Sequence, residues 1–244
     1  MGFEHAIRAS QGARSYQEDA AAVRPDAGGL IAALADGMGG HAGGAVASEL
    51  ASTTFLGAYA ASPAEADERL SEALLSANTA IAREADASPS LHGMGCTLVG
   101  VAFLPGGMNW ISVGDSPLYL IRAGALARLN EDHSLAPEID RLAELGRISW
   151  ADAKTDPHRH VLRSALTGTE IEMIDRPRAP LPLEAADTVI IASDGIHSIA
   201  EAEIARIVAA APTPDAAAEA LLAAVTAADD PHQDNTTVVV VRVT

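Results

Sequence analysis

Cysteine occurs once in the 244 residues, at Cys96, so no internal disulfide can form and a reducing, cytoplasmic setting is expected. Lysine also occurs once, at Lys154, and the 16 basic residues face 33 acidic ones for a formal net charge of −17. That balance excludes nucleic acid and an anionic membrane as partners, because either needs a basic face. Aromatic residues make up 3% of a chain that is 48% hydrophobic, so the core has to be aliphatic and alanine-rich. No apolar run approaches the roughly 18 residues of a membrane span. Met1-Gly2-Phe3-Glu4-His5 has neither the basic nor the apolar stretch of a leader, so none is expected. The charge has one further consequence. An anionic substrate would need a local source of positive charge, and bound metal ions supply one.

What is present starts with Leu30-Ile31-Ala32-Ala33-Leu34, an apolar run that reads as a buried strand, followed by Ala35-Asp36-Gly37-Met38-Gly39-Gly40-His41. A carboxylate at a strand end, followed by glycines that bare the backbone carbonyls, can hold a hard cation; it is also how an ordinary Asp-Gly turn looks. Short strands are expected at residues 3–9 and 19–25. Helices are expected at 44–60 and 64–87, with Pro63 opening the second. Four strand-like runs at 95–104, 108–114, 117–122 and 125–129, divided by Gly and Pro, predict an antiparallel meander. Residues 135–165 are polar and more helical, an excursion laid over a sheet edge. Strands resume near 171–175 and 187–193. Helices at 201–210 and 214–228 and a doubly buried strand at 236–241 complete the chain. Strands and helices do not alternate, so the class is α+β, antiparallel sheet between helices, rather than a doubly wound parallel sheet. One domain is expected over 1–244, with a flap at about 135–165.

The carboxylates decide what the Asp36 turn means. Ile190-Ile191-Ala192-Ser193-Asp194-Gly195 repeats the pattern of strand followed by Asp-Gly. Asp115 follows a strand, Asp234 precedes the last one, and Glu18-Asp19 opens an early one. Asp36, Asp194 and Asp234 could thus share one rim of a sheet. Crowded carboxylates repel one another, and divalent cations relieve this. Oxygen-only ligation favours Mg²⁺ or Mn²⁺ over Zn²⁺, and two ions bridged by a carboxylate form a hydrolytic centre.

With these pieces in order, the chain resembles the metal-dependent Ser/Thr protein phosphatases of the PPM (PP2C-like) type, in a bacterial form. The motifs that carry the resemblance are Arg14-Ser-Tyr-Gln-Glu18-Asp19, Asp36-Gly-Met-Gly-Gly-His41, Gly93-Met-Gly-Cys-Thr97, Val113-Gly-Asp-Ser116, Asp132-His-Ser134, Ser164-Ala-Leu-Thr-Gly168, Ser193-Asp-Gly195 and Asp234-Asn-Thr-Thr237. The resemblance implies a four-layer α/β/β/α sandwich of two antiparallel sheets flanked by helices. It implies two Mn²⁺ or Mg²⁺ ions bridged by Asp36, with the Gly37 carbonyl on one, Asp194 and Asp234 on the other, and Glu18 and Asp19 acting through water. Asp115 would take part in a weaker third ion. Arg14 would grip the substrate phosphate, and a water bridging the two metals would attack phosphorus in line. Phosphorylated proteins would be the substrates, among them a Ser/Thr kinase or its targets, met by a monomer.

Four positions depart from the family pattern. Gln17 stands where Asn is usual and keeps the amide. Pro117 replaces a usual Arg after Gly-Asp-Ser. Ser198 stands where many members have Asp, which bears on the third ion. Met38 occupies the place of a histidine proposed as general acid in animal members, leaving His41 or a metal-bound water to protonate the leaving group. His158 and His160, two apart, would share a face if that stretch were a strand. His133 reads as a turn-fixing residue and Cys96 as core. Ser193 lacks the Gly-x-Ser-x-Gly elbow, and no Lys-Ser/Thr follows Gly39-Gly40, so serine-hydrolase and phosphate-loop chemistry are not indicated. The alternatives are a catalytically weak binding module of the same fold, against which Arg14, Asp36, Asp194 and Asp234 speak, and a two-metal hydrolase of a small phosphorylated metabolite.

Overall fold

A computed structural model of the chain describes residues 1–39 and 42–244. Strands β1 (Phe3–Ser10), β2 (Asp19–Asp26) and β3 (Gly29–Met38) lead into helices α1 (Ala42–Ala61) and α2 (Ala66–Ala87). Five short strands follow: β4 (Gly95–Cys96), β5 (Leu98–Leu104), β6 (Gly107–Val113), β7 (Leu118–Arg122) and β8 (Ala125–Arg128). Helices α3 (Ala136–Glu144) and α4 (Trp150–Thr155) precede β9 (Thr188–Ala192). The chain closes with α5 (Glu201–Ala210), α6 (Pro214–Ala227) and β10 (Thr236–Val243).

The strands form two antiparallel sheets, one ordered β1-β10-β9-β7-β8 and the other β2-β3-β5-β6, with β4 paired to β3 beyond that path. The period-2 alternation of a strand explains why both sheets are buried on two faces. Along β3, Leu30, Ala32 and Leu34 turn towards the other sheet and meet Val189, Ile191, Val239 and Val241. Ile31, Ala33 and Ala35 turn the opposite way, onto Phe55 and Tyr59 of α1 and Leu70 and Leu74 of α2. On the far side, Ile190, Val238 and Val240 meet Ile204 and Val208 of α5 and Leu221 and Val225 of α6. The result is the expected four-layer α/β/β/α sandwich. Each fully buried Leu, Ile or Phe contributes roughly 1.5–3 kcal/mol, so these three interfaces carry the stability. Among the described residues, no helix is long and apolar enough to cross a membrane.

Three expectations need correction. The run from 95 to 129 is not one meander: β5 and β6 pair in one sheet, while β7 and β8 belong to the other. The link Gly114-Asp115-Ser116-Pro117 carries the chain across. Gly114 has φ 103°, and Pro117 has no N–H to extend a ladder. The run at 171–175 forms no strand. It meets the edge of β6 at Asp175, which pairs with Ser112 and accepts from Trp110 Nε1 at 2.9 Å, and Leu181 meets Met108 further on. Pro177, Pro180 and Pro182 deny this stretch the donors a ladder needs. Pro157–His160 is a turn, closed by Asp156 Oδ1 accepting from the His158 N–H at 2.8 Å, so His158 and His160 do not share a strand face.

One ion pair ties the helical layer to its sheet. Arg69 of α2 donates from Nη1 and Nη2 to the Asp26 carboxylate at 3.1 and 2.9 Å, and from Nε to the Tyr59 carbonyl at 2.9 Å. Its guanidinium lies 3.8 Å from the centre of the Tyr59 ring. This pairing holds the Asp26 carboxyl below the usual carboxylate range. The charged carboxylate therefore stabilises the fold above an unfolded pKa of about 3.9, and that contribution is lost as pH falls through the lower folded value. Asp26→Asn should cost about 2 kcal/mol at neutral pH by chemical denaturation, and the gap to wild type should close below about pH 4.

Candidate active site

The carboxylates gather where the two sheets meet. Asp19 at the start of β2 stands directly opposite Asp36 near the end of β3. Asp194 follows β9 and Asp234 precedes β10, in the other sheet. The expected single rim is thus two rims facing each other, because β3 pairs with β2 and β5 and never with β9 or β10. Asp115 arrives on the link that crosses between the sheets and is nine-tenths buried, at 9% exposure.

Backbone and side-chain hydrogen bonds stitch this seam. Asn235 Oδ1 accepts from the Glu18 N–H at 2.7 Å, and its amide donates to the carbonyls of Gln11 and Tyr16 at 2.8 and 2.9 Å. One side chain therefore fixes the whole loop that carries Arg14 and Glu18. Ser193 Oγ donates to Asp19 Oδ2 at 2.7 Å and accepts from the Thr237 N–H at 2.9 Å. Thr97 interrupts the expected strand at 95–104: its N–H donates to the Asp36 carbonyl at 2.8 Å, and its Oγ1 accepts from the Asp36 N–H at 3.0 Å. Gln17 Oε1 accepts from the Asp19 N–H at 3.0 Å, so the longer amide still caps the strand. His133 fixes the crossing turn through Nδ1, which accepts from the Gly114 N–H at 3.2 Å.

Gly37 is required by close approach. A Cβ there would lie 2.1 Å from the Gly44 carbonyl oxygen and 2.5 Å from that of Glu18. Three segments thus converge on the residue after Asp36, and only glycine leaves them room.

The electrostatics are those of crowded carboxylates. Burial pushes Asp36 well above the usual range, and the charges of Asp19 and Asp194 add to it. Burial likewise raises Asp194, with Asp234 adding. Asp19 is pushed up to about 6 and Asp115 to about 7, again mainly by burial. Arg14 offsets part of this charge with an Nη2 contact to Asp234 Oδ2 at 2.5 Å. A cavity of about 670 Å³ opens over the cluster, lined by Arg14, Asp36, Met38, Asp115, Asp194 and Asp234 among others. His41 lies outside the described residues.

Among the described residues, no three acidic, histidine or cysteine side chains come together closely enough to grip an ion as they stand. Two of the candidates are engaged by the protein itself, Asp234 by Arg14 and Asp19 by Ser193. The donor set nevertheless fits a hard divalent cation. It is all oxygen, and Asp19 Oδ1 and Asp194 Oδ1 are buried without a hydrogen-bond partner.

Residues 9–225 match the family model for protein phosphatase 2C. The chain belongs to the protein phosphatase 2C family. Over 98% of its length it is 33% identical to the serine/threonine protein phosphatase PstP of Mycobacterium tuberculosis, although the match covers 44% of PstP, so the chain spans about half of that relative. It is 34% identical to the serine/threonine phosphatase stp of Listeria innocua, over 73% of this chain and 71% of that one. The crystal structure of M. tuberculosis PstP superposes with a TM-score of 0.83 at 31% identity, covering 100% of this chain and 99% of that one. A structure of the PstP catalytic domain in complex with two manganese ions gives 0.81 at 30% identity, covering 98% and 97%.

Within this phosphatase 2C chain, several site residues gave only a partial signal in the sequence. Asn235 and Thr97 lie inside the family motifs, yet their hydrogen-bonding roles depend on contacts 217 and 61 residues away. Ser193 stands in the sequence as the first letter of the Ser193-Asp-Gly195 motif and lacks the setting of a nucleophile. In the fold it holds Asp19.

The crowding predicts opposite effects of one substitution. Asp36→Asn should raise the melting temperature of the cation-free protein, because one buried like charge is gone. It should also abolish the further rise that Mn²⁺ gives the wild type, measured by thermal denaturation with and without the ion.

Proposed function

We propose that this chain is a metal-dependent protein phosphatase that hydrolyses phosphoserine and phosphothreonine in proteins. The observation that carries the reading is the cluster of Asp36, Asp194 and Asp234 sharing one cavity with Arg14. The relatives named serine/threonine phosphatases, and the PstP structure with two manganese ions, support the same activity and the same ions here.

Asp36 and the Gly37 carbonyl, with Asp194 and Asp234, would hold two Mn²⁺ or Mg²⁺ ions, and Glu18 and Asp19 would act through water. Divalent ions held there would lower the pKa of a water and neutralise charge on a phosphoryl group. Arg14 supplies the planar fork of donors that suits a phosphate. Its side chain and that of Asp234 are 54% and 35% exposed, so the arginine can turn from the carboxylate to a substrate oxygen without breaking buried contacts. Met38 has no proton to give a leaving alkoxide. Asp115 would contribute to a third ion together with Asp194. Ser198 donates from Oγ to the Gly195 carbonyl at 3.0 Å and is turned away from that task, which makes the third site the weaker one.

The same reading takes residues 1–244 as one phosphatase domain with residues 135–165 as its flap. The protein would act as a cytoplasmic monomer on phosphoproteins that include a Ser/Thr kinase or its targets.

Steady-state hydrolysis of a phosphothreonine peptide tests the reading. Activity should require Mn²⁺ or Mg²⁺ and vanish with EDTA, and Asp36→Asn should lower kcat by at least about a hundredfold. Arg14→Ala should lower kcat/KM by about a hundredfold. Equal rates for wild type and Asp36→Asn would sink the two-metal mechanism. In a metal titration, a third equivalent should bind more weakly than the first two.

A further inference from the structure

One wall of the cavity carries Glu170 and Glu172. Both are exposed, and among the described residues neither is paired with a basic side chain of the chain. The backbone that holds them is pinned at both ends. Asn78, itself buried, donates from Nδ2 to the Thr169 carbonyl at 2.6 Å and accepts at Oδ1 from the Gly168 N–H at 2.9 Å. Ser164 Oγ donates to the Met173 carbonyl at 2.9 Å and accepts from the Met173 N–H at 3.0 Å. Between these pins Ile171 packs inward against the core beneath α1 and α2. Its two neighbours are left on the cavity lining.

The cavity is a site on separate grounds. Asp115, nine-tenths buried, and the partnerless Asp194 Oδ1 both belong to its floor. Its other exposed arginine, Arg163, is already paired with Glu138 at 2.5 Å. Arg14 at the carboxylate cluster is thus the cation suited to the phosphate, and Glu170 and Glu172 are negative charges without a counterpart.

We propose that Glu170 and Glu172 select phosphoproteins in which arginine or lysine flanks the phosphorylated serine or threonine. The inference rests on the phosphatase reading above. A phosphate drawn to the Arg14 end of the cavity brings its flanking residues against the wall. A cationic flank then meets two unpaired carboxylates, and an acidic flank is repelled by them. The effect acts on encounter and ground-state binding, and salt screens it.

The test uses three phosphothreonine peptides of equal length, flanked by Arg, Ala or Glu, assayed with the Mn²⁺-loaded full chain at low ionic strength. p-Nitrophenyl phosphate serves as a probe without flanks. The ratio of kcat/KM for the Arg- over the Glu-flanked peptide should be about tenfold in wild type and fall to about twofold in Glu170→Gln/Glu172→Gln. Because the ratio is the readout, a general loss of activity cancels. The control Glu4→Gln/Glu219→Gln makes the same change in net charge at exposed positions away from the cavity lining, and it should keep the wild-type ratio. An unchanged ratio in the Glu170/Glu172 variant, or no preference in wild type, overturns the proposal while leaving the phosphatase reading intact. No turnover of p-nitrophenyl phosphate or of any peptide by wild type overturns both.

Discussion

Four buried aspartates that cannot all ionise unaided are the constraint on which the rest of the structure depends. Asp19, Asp36, Asp115 and Asp194 are each raised by burial, and each feels a neighbour's charge. A hydrophobic fold gains nothing by holding such a group together; their desolvation is a standing cost. The cost makes sense where cations complete the site. The two oxygens of Asp19 and Asp194 that lack a hydrogen-bond partner are part of the same cost.

The sandwich is what makes the crowding possible. Sheet alternation sends one set of aliphatic side chains between the sheets and another under the helices, so the space between the layers is apolar and close-packed. The carboxylates emerge only where strands stop. Asn235 and Ser193 then join the two sheets across that seam, and Gly37 lets β2, β3 and α1 converge at the carboxylate that both sheets address. Specificity is carried by different elements. The wall at 164–173 is anchored by Asn78 and Ser164, and its backbone meets the site strands through the Leu166–Cys96 pairing. Glu170 and Glu172 project from that anchored stretch, so a substitution there leaves the Asn78 and Ser164 bonds in place.

Much of this was legible in the sequence. The apolar runs before Asp36 and Asp194 marked strand ends, and the spacing of motifs along the chain marked the family. The α+β class followed from strands and helices that do not alternate, and the four-layer order from the family resemblance. What failed was pairing. Periodicity identifies a strand but not its partner, so the runs at 108–114 and 117–122 read as neighbours, although Pro117 places them in different sheets. The same limit turned two facing rims into one. The run at 171–175 misled because its alternation is real, while the prolines after it forbid a ladder. Asn235, Thr97 and Ser193 were seen as letters of a motif, and their bonds reach across the chain to residues no local pattern connects.

Anomalous diffraction from crystals grown in Mn²⁺ tests the central claim most directly. The account predicts two manganese peaks in the seam, ligated by Asp36, Asp194 and Asp234, with Arg14 released from Asp234. A seam without anomalous signal at millimolar Mn²⁺, with the Arg14–Asp234 pair intact, would contradict it.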